Sequence, residues 1–479
     1  MSAFFFRSRL WGSSAVAAFA LAVASCATPA GSPQTGSTES GASALSKSDA
    51  WLASVAGGVQ EDSLRALIQT MVDFGTRHTL SDTKSDTRGI GAARRWVASE
   101  FNGMSSACGG CLTIVTPSDI VTGSRVPEPT EVMDVLAIQR GQTDPNRVVI
   151  ISGHLDSRVT DVMDAVSDAP GANDDASGVA AVMEAARVLS GETFGATIVY
   201  AALSGEEQGL LGGQILADYA KAQGWEVEAV LNNDIVGNTH GIGGQHVDDR
   251  VRVFSEGVRA LETDAMGRAR VSTGGELDAP SRNLARYMAA LSERVGDKPG
   301  VDMIYRRDRF GRGGDQTPMQ QAGFPAVRVS EAAENYTRQH QDLREEDGVK
   351  YGDTIDGVDF PYLAGVVRLN VMTLASLAKA PPPPPMVELK GAVSADTLVT
   401  WKPSPGAAAY RVWWRDTTSP TWTHTREVDG SETQTLLKNT VIDDWFFGVS
   451  ALSADGFASP VQFAGPVGVF IPSGPAGND

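Results

Sequence analysis

The chain has 479 residues, of which 42% are hydrophobic and 20% charged, with a formal net charge of -18. It is too long for one ordinary domain and apolar enough to build a sizeable core. An acidic balance without clustered Lys and Arg excludes a nucleic-acid partner, because phosphate binding needs concentrated positive charge.

The N-terminus reads as an export signal over residues 1–25: basic Arg7 and Arg9 precede an apolar stretch from Ala15 to Ala24 that is too short to span a bilayer. The tetrapeptide VASC that follows resembles a bacterial lipobox, with cleavage before Cys26 and acylation of that cysteine; a plain signal peptide cleaved nearby is the alternative. The expected location is a lipid-anchored outer-membrane or cell-surface protein, otherwise periplasmic or secreted. Residues 26–46 are small and polar and are expected to form a disordered tether. After Cys26 only Cys108 and Cys111 remain, both in CGGC. In an oxidising compartment they are expected to form a local disulfide. A redox role is the alternative, but no thioredoxin-like context surrounds the pair, and two thiolates are too few for a structural zinc site.

From 47 to 380, helical patterns alternate with short apolar runs. In GAARRWVASEF, residues 91–101, Ala93, Trp96, Val97 and Phe101 fall near helical spacing. The apolar runs RVVIISGH (147–154), TIVYAALSG (197–205), VEAVLNND (227–234) and FPAVRVSE (324–331) lack strict alternation. They predict an α/β unit with a mostly parallel central sheet covered by helices on both faces. Pro381–Pro385 then predict a stiff spacer of about 15 Å between two domains. Residues 386–472 read as a small all-β sandwich. Leu398–Arg415 and Trp445–Ser459, with Trp401, Tyr410, Trp445, Phe447, Val449 and Ala451 as core positions, resemble the fibronectin type III module. Such a module suggests contact with a surface or polymer and carries no chemistry of its own.

The chemistry sits where apolar runs end in polar residues: His154 and Asp156 in SGHLDS, Asp174 and Asp175 in GANDDASG, Glu206 and Glu207 in SGEEQGLLGG, and Asp234 in NNDIVGN. Ligand sites in open α/β sheets form outside the carboxyl ends of the strands. Adjacent Asp174 and Asp175, with no basic residue nearby, pose an electrostatic problem, since an unpaired buried carboxylate costs several kcal/mol. A convergence of these acids with His154 calls for cations, and imidazole with carboxylates suits a metal site. The helix after the Asp pair is expected to begin near Ala176, with Val179, Val182, Met183 and Ala186 buried and the carboxylates at its positive end.

The succession His-x-Asp, Gly-Ala-x-Asp-Asp-x-Ser-Gly, Glu-Glu, a single Asp and a late His resembles the secreted co-catalytic dizinc aminopeptidases of clan MH, whose kin include glutamate carboxypeptidase, glutaminyl cyclase and the inactive transferrin receptor. The resemblance implies two zinc ions bridged by Asp174, with His154 and Glu207 completing one site and Asp234 and His340 the other. His340 is preferred over His240 and His246, which follow Asp234 in a Gly-rich loop. It implies that Glu206 is the general base, that Asp156 orients His154, and that the Asp174–Asp175 peptide bond is cis. Asp315 would support the metal shell or the substrate amine, although Gln316 stands where relatives often carry His, and Tyr336 would steady a tetrahedral intermediate. Charges balance in this assignment: two zinc ions against Asp174, Glu207, Asp234 and one hydroxide, with Glu206 left over for proton transfer. The implied function is an exported aminopeptidase acting on peptide or protein N-termini. Another amide hydrolase of the clan (a carboxypeptidase, deacylase or glutaminyl cyclase) and a non-catalytic surface binding protein are the alternatives.

Overall fold

Apolar runs with no polar alternation can be buried only between two layers, and in the computed structural model they lie at the centre of an eight-stranded sheet. From edge to edge the strands are Leu112–Val115, Val135–Gln139, Ala196–Leu203, Asp144–His154, Glu226–Asn233, Ala326–Glu331, Arg250–Ser255 and Gly300–Ile304. The four central strands are mutually parallel, and antiparallel pairs join them to the flanking strands on either side. Alternate residues face two cores: Val149 and Ile151 pack under the helices Ala176–Leu189 and Phe360–Lys379, while Val148 and Ile150 pack with Leu216 and Met319 on the other face. All four runs singled out in the sequence are these central strands. The structure describes residues 45–465. The export signal, Cys26 and all but the end of the tether lie outside the described residues.

Helix Ala176–Leu189 begins where the sequence placed it, but it is buried on nearly every side and not along one stripe. Helix Gly89–Ala107 buries Ala93, Val97 and Phe101 and leaves Trp96 half-covered. Cys108 and Cys111 form a disulfide just after it. Helix Phe360–Lys379 is long and apolar enough to cross a membrane, yet 89% of its apolar window is buried against the sheet, which identifies a core helix.

After the main sheet come a three-stranded and a four-stranded sheet, whose inward residues Val399, Trp401, Tyr410, Val412, Phe447 and Val449 share one core. The proline run corrects the expectation of a stiff spacer: Pro381, Pro383 and Pro384 are buried, and the described residues from Leu45 onward cluster as one compact unit. The physical reason is a polar and aromatic junction. Arg415 of the C-terminal sheets donates to Asp278 at 2.6 Å, Arg286 donates to the carbonyl of Pro420 at 2.7 Å, and Trp51 meets Phe457 edge-on at 5.6 Å.

Candidate metal centre

Parallel strands deliver their carboxyl ends to one rim. His154 closes the strand Asp144–His154, Glu206 and Glu207 follow Ala196–Leu203, and Asp234 follows Glu226–Asn233. The loop between His154 and the helix Ala176–Leu189 brings Asp174 into the same place, and His340 arrives from the segment after Ala326–Glu331 with a left-handed backbone (φ 54°).

Two groups result. His154, Asp174 and Asp234 offer donor atoms within 4.8 Å of one another, and so do Asp174, Glu207 and His340. In the first, His154 Nε2 lies 3.1 Å from Asp174 Oδ1 and 3.9 Å from Asp234 Oδ1. In the second, His340 Nε2 lies 2.9 Å from both Asp174 Oδ2 and Glu207 Oε1. Asp174 belongs to both. This corrects the pairing expected from the resemblance: His154 groups with Asp234 rather than Glu207, and His340 with Glu207 rather than Asp234. The reason is spatial, since the two oxygens of Asp174 face opposite ways and the two histidines approach from opposite sides.

The residues fit a metal. His154 Nε2 and Glu207 Oε1 are buried and make no hydrogen bond, a costly arrangement unless a ligand uses those lone pairs. His154 Nδ1 lies 3.0 Å from the carbonyl of Asp156, so its proton is fixed there and Nε2 is left free to ligate. Imidazole and carboxylate donors suit zinc.

Neighbouring groups hold the ligands in place. The Asp156 carboxylate does not itself bond His154, from which it stands 3.7 Å away. It accepts the N–H groups of Gly205 and Glu206 at 2.8 and 3.1 Å, that of Glu207 at 3.1 Å, and the Thr79 hydroxyl at 2.9 Å. The expected orientation of His154 by Asp156 is thus made by its carbonyl, and its carboxylate shapes the Glu206–Glu207 turn. Asp175 is a tie and not a ligand: it accepts from Gly178 N at 3.0 Å, Ile235 N at 3.2 Å and His154 N at 2.9 Å. The bond between Asp174 and Asp175 is cis. Asp353 accepts the N–H groups of Asn173 at 2.9 Å and Asp174 at 2.6 Å. Arg77, fully buried, donates to the carbonyls of Leu155, Met71, Pro170 and Gly171 at 2.6 to 3.0 Å and so clamps both ligand loops.

Charge sets the titration of these groups. Burial pushes the Asp234 carboxyl up, but Arg328, 2.5 Å away, and His154 outweigh it and hold it below the ordinary carboxylate range. Burial raises Glu206 well above that range, reinforced by Asp234, Glu207 and Asp315. Glu206 is half-buried and lines the same cleft of about 730 Å³ as both histidines.

Tyr336 also lines the cleft and is 52% exposed. Asp315 is buried behind the Glu206 turn, accepts Gly213 N–H at 3.1 Å and is in neither donor group; burial pushes its carboxyl up to about 7. His240 and His246 stack on each other at 4.4 Å and are likewise in neither group. Sequence reasoning missed Arg77, Asp353, Arg328 and the cleft residues Arg125, Arg158, Arg309 and Arg312. Arg328 had a legible signal: a charge in the middle of the buried run Ala326–Glu331 must have a partner.

Residues 134–353 match the family described as Peptidase family M28. A protein of Leptosphaeria maculans named "Probable zinc metalloprotease" is 43% identical over 85% of this chain and 95% of its own length. One of the same name from Pyricularia oryzae is 41% identical over 87% of this chain and 85% of its own. Among solved structures, the LapA aminopeptidase of Legionella pneumophila is similar in fold, with a TM-score of 0.51 and 21% identity over 71% of this chain and 79% of that one.

Proposed function

The chain belongs to the zinc-dependent peptidases of family M28, and on that premise we propose that it is an exported aminopeptidase with two zinc ions in its centre. His154, Asp174 and Asp234 would hold one ion, and Asp174, Glu207 and His340 the other. Zinc held there supplies Lewis-acid polarisation of a scissile carbonyl and a water acidic enough to ionise near neutral pH. Glu206 takes the proton of the attacking water on its carboxylate and releases it to the departing amine. Asp156 keeps the Glu206 backbone fixed, so the base does not drift from the cleft. Tyr336, which lines the cleft, is proposed to steady the tetrahedral intermediate.

The observation that carries this reading is the sharing of Asp174 by two donor groups, with Glu206 on the same cleft wall. The test is hydrolysis by the zinc-loaded protein of amino-acid anilides, N-acylated amino acids and peptides with N-terminal Gln. Release from free-amine substrates is the expected result; reaction of only blocked or Gln-terminal substrates would overturn it.

Export, with lipid attachment at Cys26, rests on the N-terminal sequence alone. Membrane fractionation of the wild type against Cys26→Ala tests it, with release of the variant expected. Residues 386–472 are proposed to be a fibronectin type III-like module that contacts a surface or polymer.

A further inference from the structure

The chain has six histidines, and the metal centre uses two of them. His78 is buried and bonded to Gln208, and His424 packs against Trp414 and Trp445. His240 and His246 are different. Both are exposed, and their rings stack 4.4 Å apart beside the turn of a tight hairpin.

The backbone puts them face to face. Val247 N–H donates to the carbonyl of Thr239 and Gly241 N–H to that of Gln245, each at 2.9 Å. His240 and His246 are the antiparallel pair enclosed by those two bonds, the kind whose side chains stand closest together on one face. The hairpin is also pinned to its surroundings. Ile242 N–H donates to the carbonyl of Glu334 at 3.0 Å, and Asn238 Nδ2 donates to that of Ala333 at 2.7 Å.

Hydrogen bonding fixes one ring in a metal-binding state. The Thr239 hydroxyl gives its single proton to Asp359 Oδ2 at 3.0 Å, a carboxylate that can only accept. Toward His240 Nδ1, 3.1 Å away, the same hydroxyl can therefore act only as acceptor. Nδ1 is thus the protonated nitrogen, and the lone pair of Nε2 is left unused. Asp359 is itself held as the cap of helix Phe360–Lys379 by the N–H of Tyr362 at 3.1 Å. Such a chain from carboxylate through hydroxyl to imidazole orients a ligand from behind. Among the described residues the ring of His246 makes no hydrogen bond. A tetrahedral ion with metal–nitrogen bonds of about 2.0–2.1 Å needs its two nitrogens roughly 3.3 Å apart, which rings stacked at 4.4 Å meet by a small rotation about their side-chain bonds.

We infer that His240 and His246 form a further metal site, separate from the catalytic centre, for one divalent ion of the zinc, copper or nickel type, with water in its remaining positions. Two imidazoles without a carboxylate select such ions over calcium and magnesium. The site does not depend on the aminopeptidase reading.

The experiment is equilibrium dialysis of the full chain against zinc in excess calcium, with free zinc raised stepwise from nanomolar to submillimolar, for the wild type and His246→Gln. The wild type is expected to take up one ion more than the variant. Ions held at the catalytic centre cancel in that difference, so a centre that binds one ion instead of two leaves the test intact. His246 is exposed, so its replacement leaves the fold in place. Thr239→Val, which keeps both histidines and the side-chain shape but removes the orienting hydroxyl, is expected to weaken the extra ion by about tenfold. Equal uptake by wild type and His246→Gln overturns the inference, as does displacement of the extra ion by calcium. Unchanged affinity in Thr239→Val would reduce the pair to two unoriented surface imidazoles and overturn it as a built site.

Discussion

Two regions of this molecule bury charge, and they differ in what the charge has left to do. At the junction with the C-terminal sheets, fully buried Asp278 receives Arg286 on one oxygen at 3.2 Å and Arg415 on the other at 2.6 Å. Arg286 also donates to the carbonyls of Pro420 and Leu277, Arg415 donates to that of Ser419, and the Arg415 guanidinium lies 4.4 Å from the ring of Phe446. At the sheet rim, His154 Nε2 and Glu207 Oε1 are as deeply buried and make no hydrogen bond; what they face are other members of the donor groups, Asp174 Oδ1 at 3.1 Å and His340 Nε2 at 2.9 Å. Burial of ionisable groups is therefore not the mark of a site. Lone pairs left over after the local framework is satisfied, and aimed at a common point, are.

The largest test of this contrast is Glu206→Gln. Loss of the general base is expected to lower kcat by about 10³-fold while both metals stay bound, since the amide keeps the side chain's shape. Activity on an anilide and metal content of the same preparation check it; a fully active variant would remove Glu206 from the chemistry. Next in size is Asp278→Asn, which leaves Arg286 and Arg415 sharing a neutral partner in a buried place. It is expected to destabilise the fold by about 3–5 kcal/mol, seen as a lower denaturant midpoint, with kcat per folded molecule unchanged. If kcat collapsed while stability held, the junction would be part of the site and the contrast would fail.

Much of the rim was legible because its polar residues stop runs of Val, Ile and Ala that have no other reason to end in acid. His154, the Glu pair and Asp234 each mark the exit of a central strand, a parallel sheet puts those exits together, and the Asp pair stands at the start of the helix that follows the first of them. Which ligand faces which was not legible, because it depends on the direction of two oxygens on Asp174. Nor was the division of labour between Asp174 and Asp175, one turned to the metal centre and the other to three backbone N–H groups. Asp353 and Arg77 act through backbone carbonyls and amides far away in the chain, and neither sits in a motif. The proline run was misread because its composition suggests a spacer, whereas its burial depends on side chains such as Arg415 and Asp278, 137 positions apart.

Asp353→Asn probes the framework rather than the ligands. One of the carboxylate oxygens that receive the N–H groups of Asn173 and Asp174 becomes an NH2, which cannot accept. The ligand loop is expected to lose its set position and zinc affinity to fall about 10- to 100-fold, with the fold intact. Competition against a zinc-chelating dye measures it, and unchanged affinity would show that Arg77 alone fixes the loop.

The smallest expected signal is a count of protons. In the metal-free protein burial pushes His340 down, but Glu207 and Asp174 outweigh it and bring it up to about 10; His154 is raised too, by Asp175, Asp156 and Asp174 against the effect of burial. Because these folded-state values exceed the unfolded value near 6.5, the protonated histidines stabilise the metal-free fold fully below about pH 6.5, and that contribution is lost as pH climbs toward the folded values. Zinc takes neutral imidazole only, so uptake near pH 7.5 is expected to expel at least two protons per protein, one from each histidine, with ionisation of the zinc-bound water adding to them. Asp174 and Asp234 add none, since their carboxyls are held below the usual range and already ionised. Calorimetric titration in buffers of different ionisation enthalpy gives the count. At the junction no such linkage should exist: Asp278→Asn is expected to release the same number of protons as the wild type, because its arginines stay charged with or without zinc. A release near zero in the wild type would mean that the histidines are neutral before zinc arrives and that the carboxylates around them do not act as one electrostatic centre.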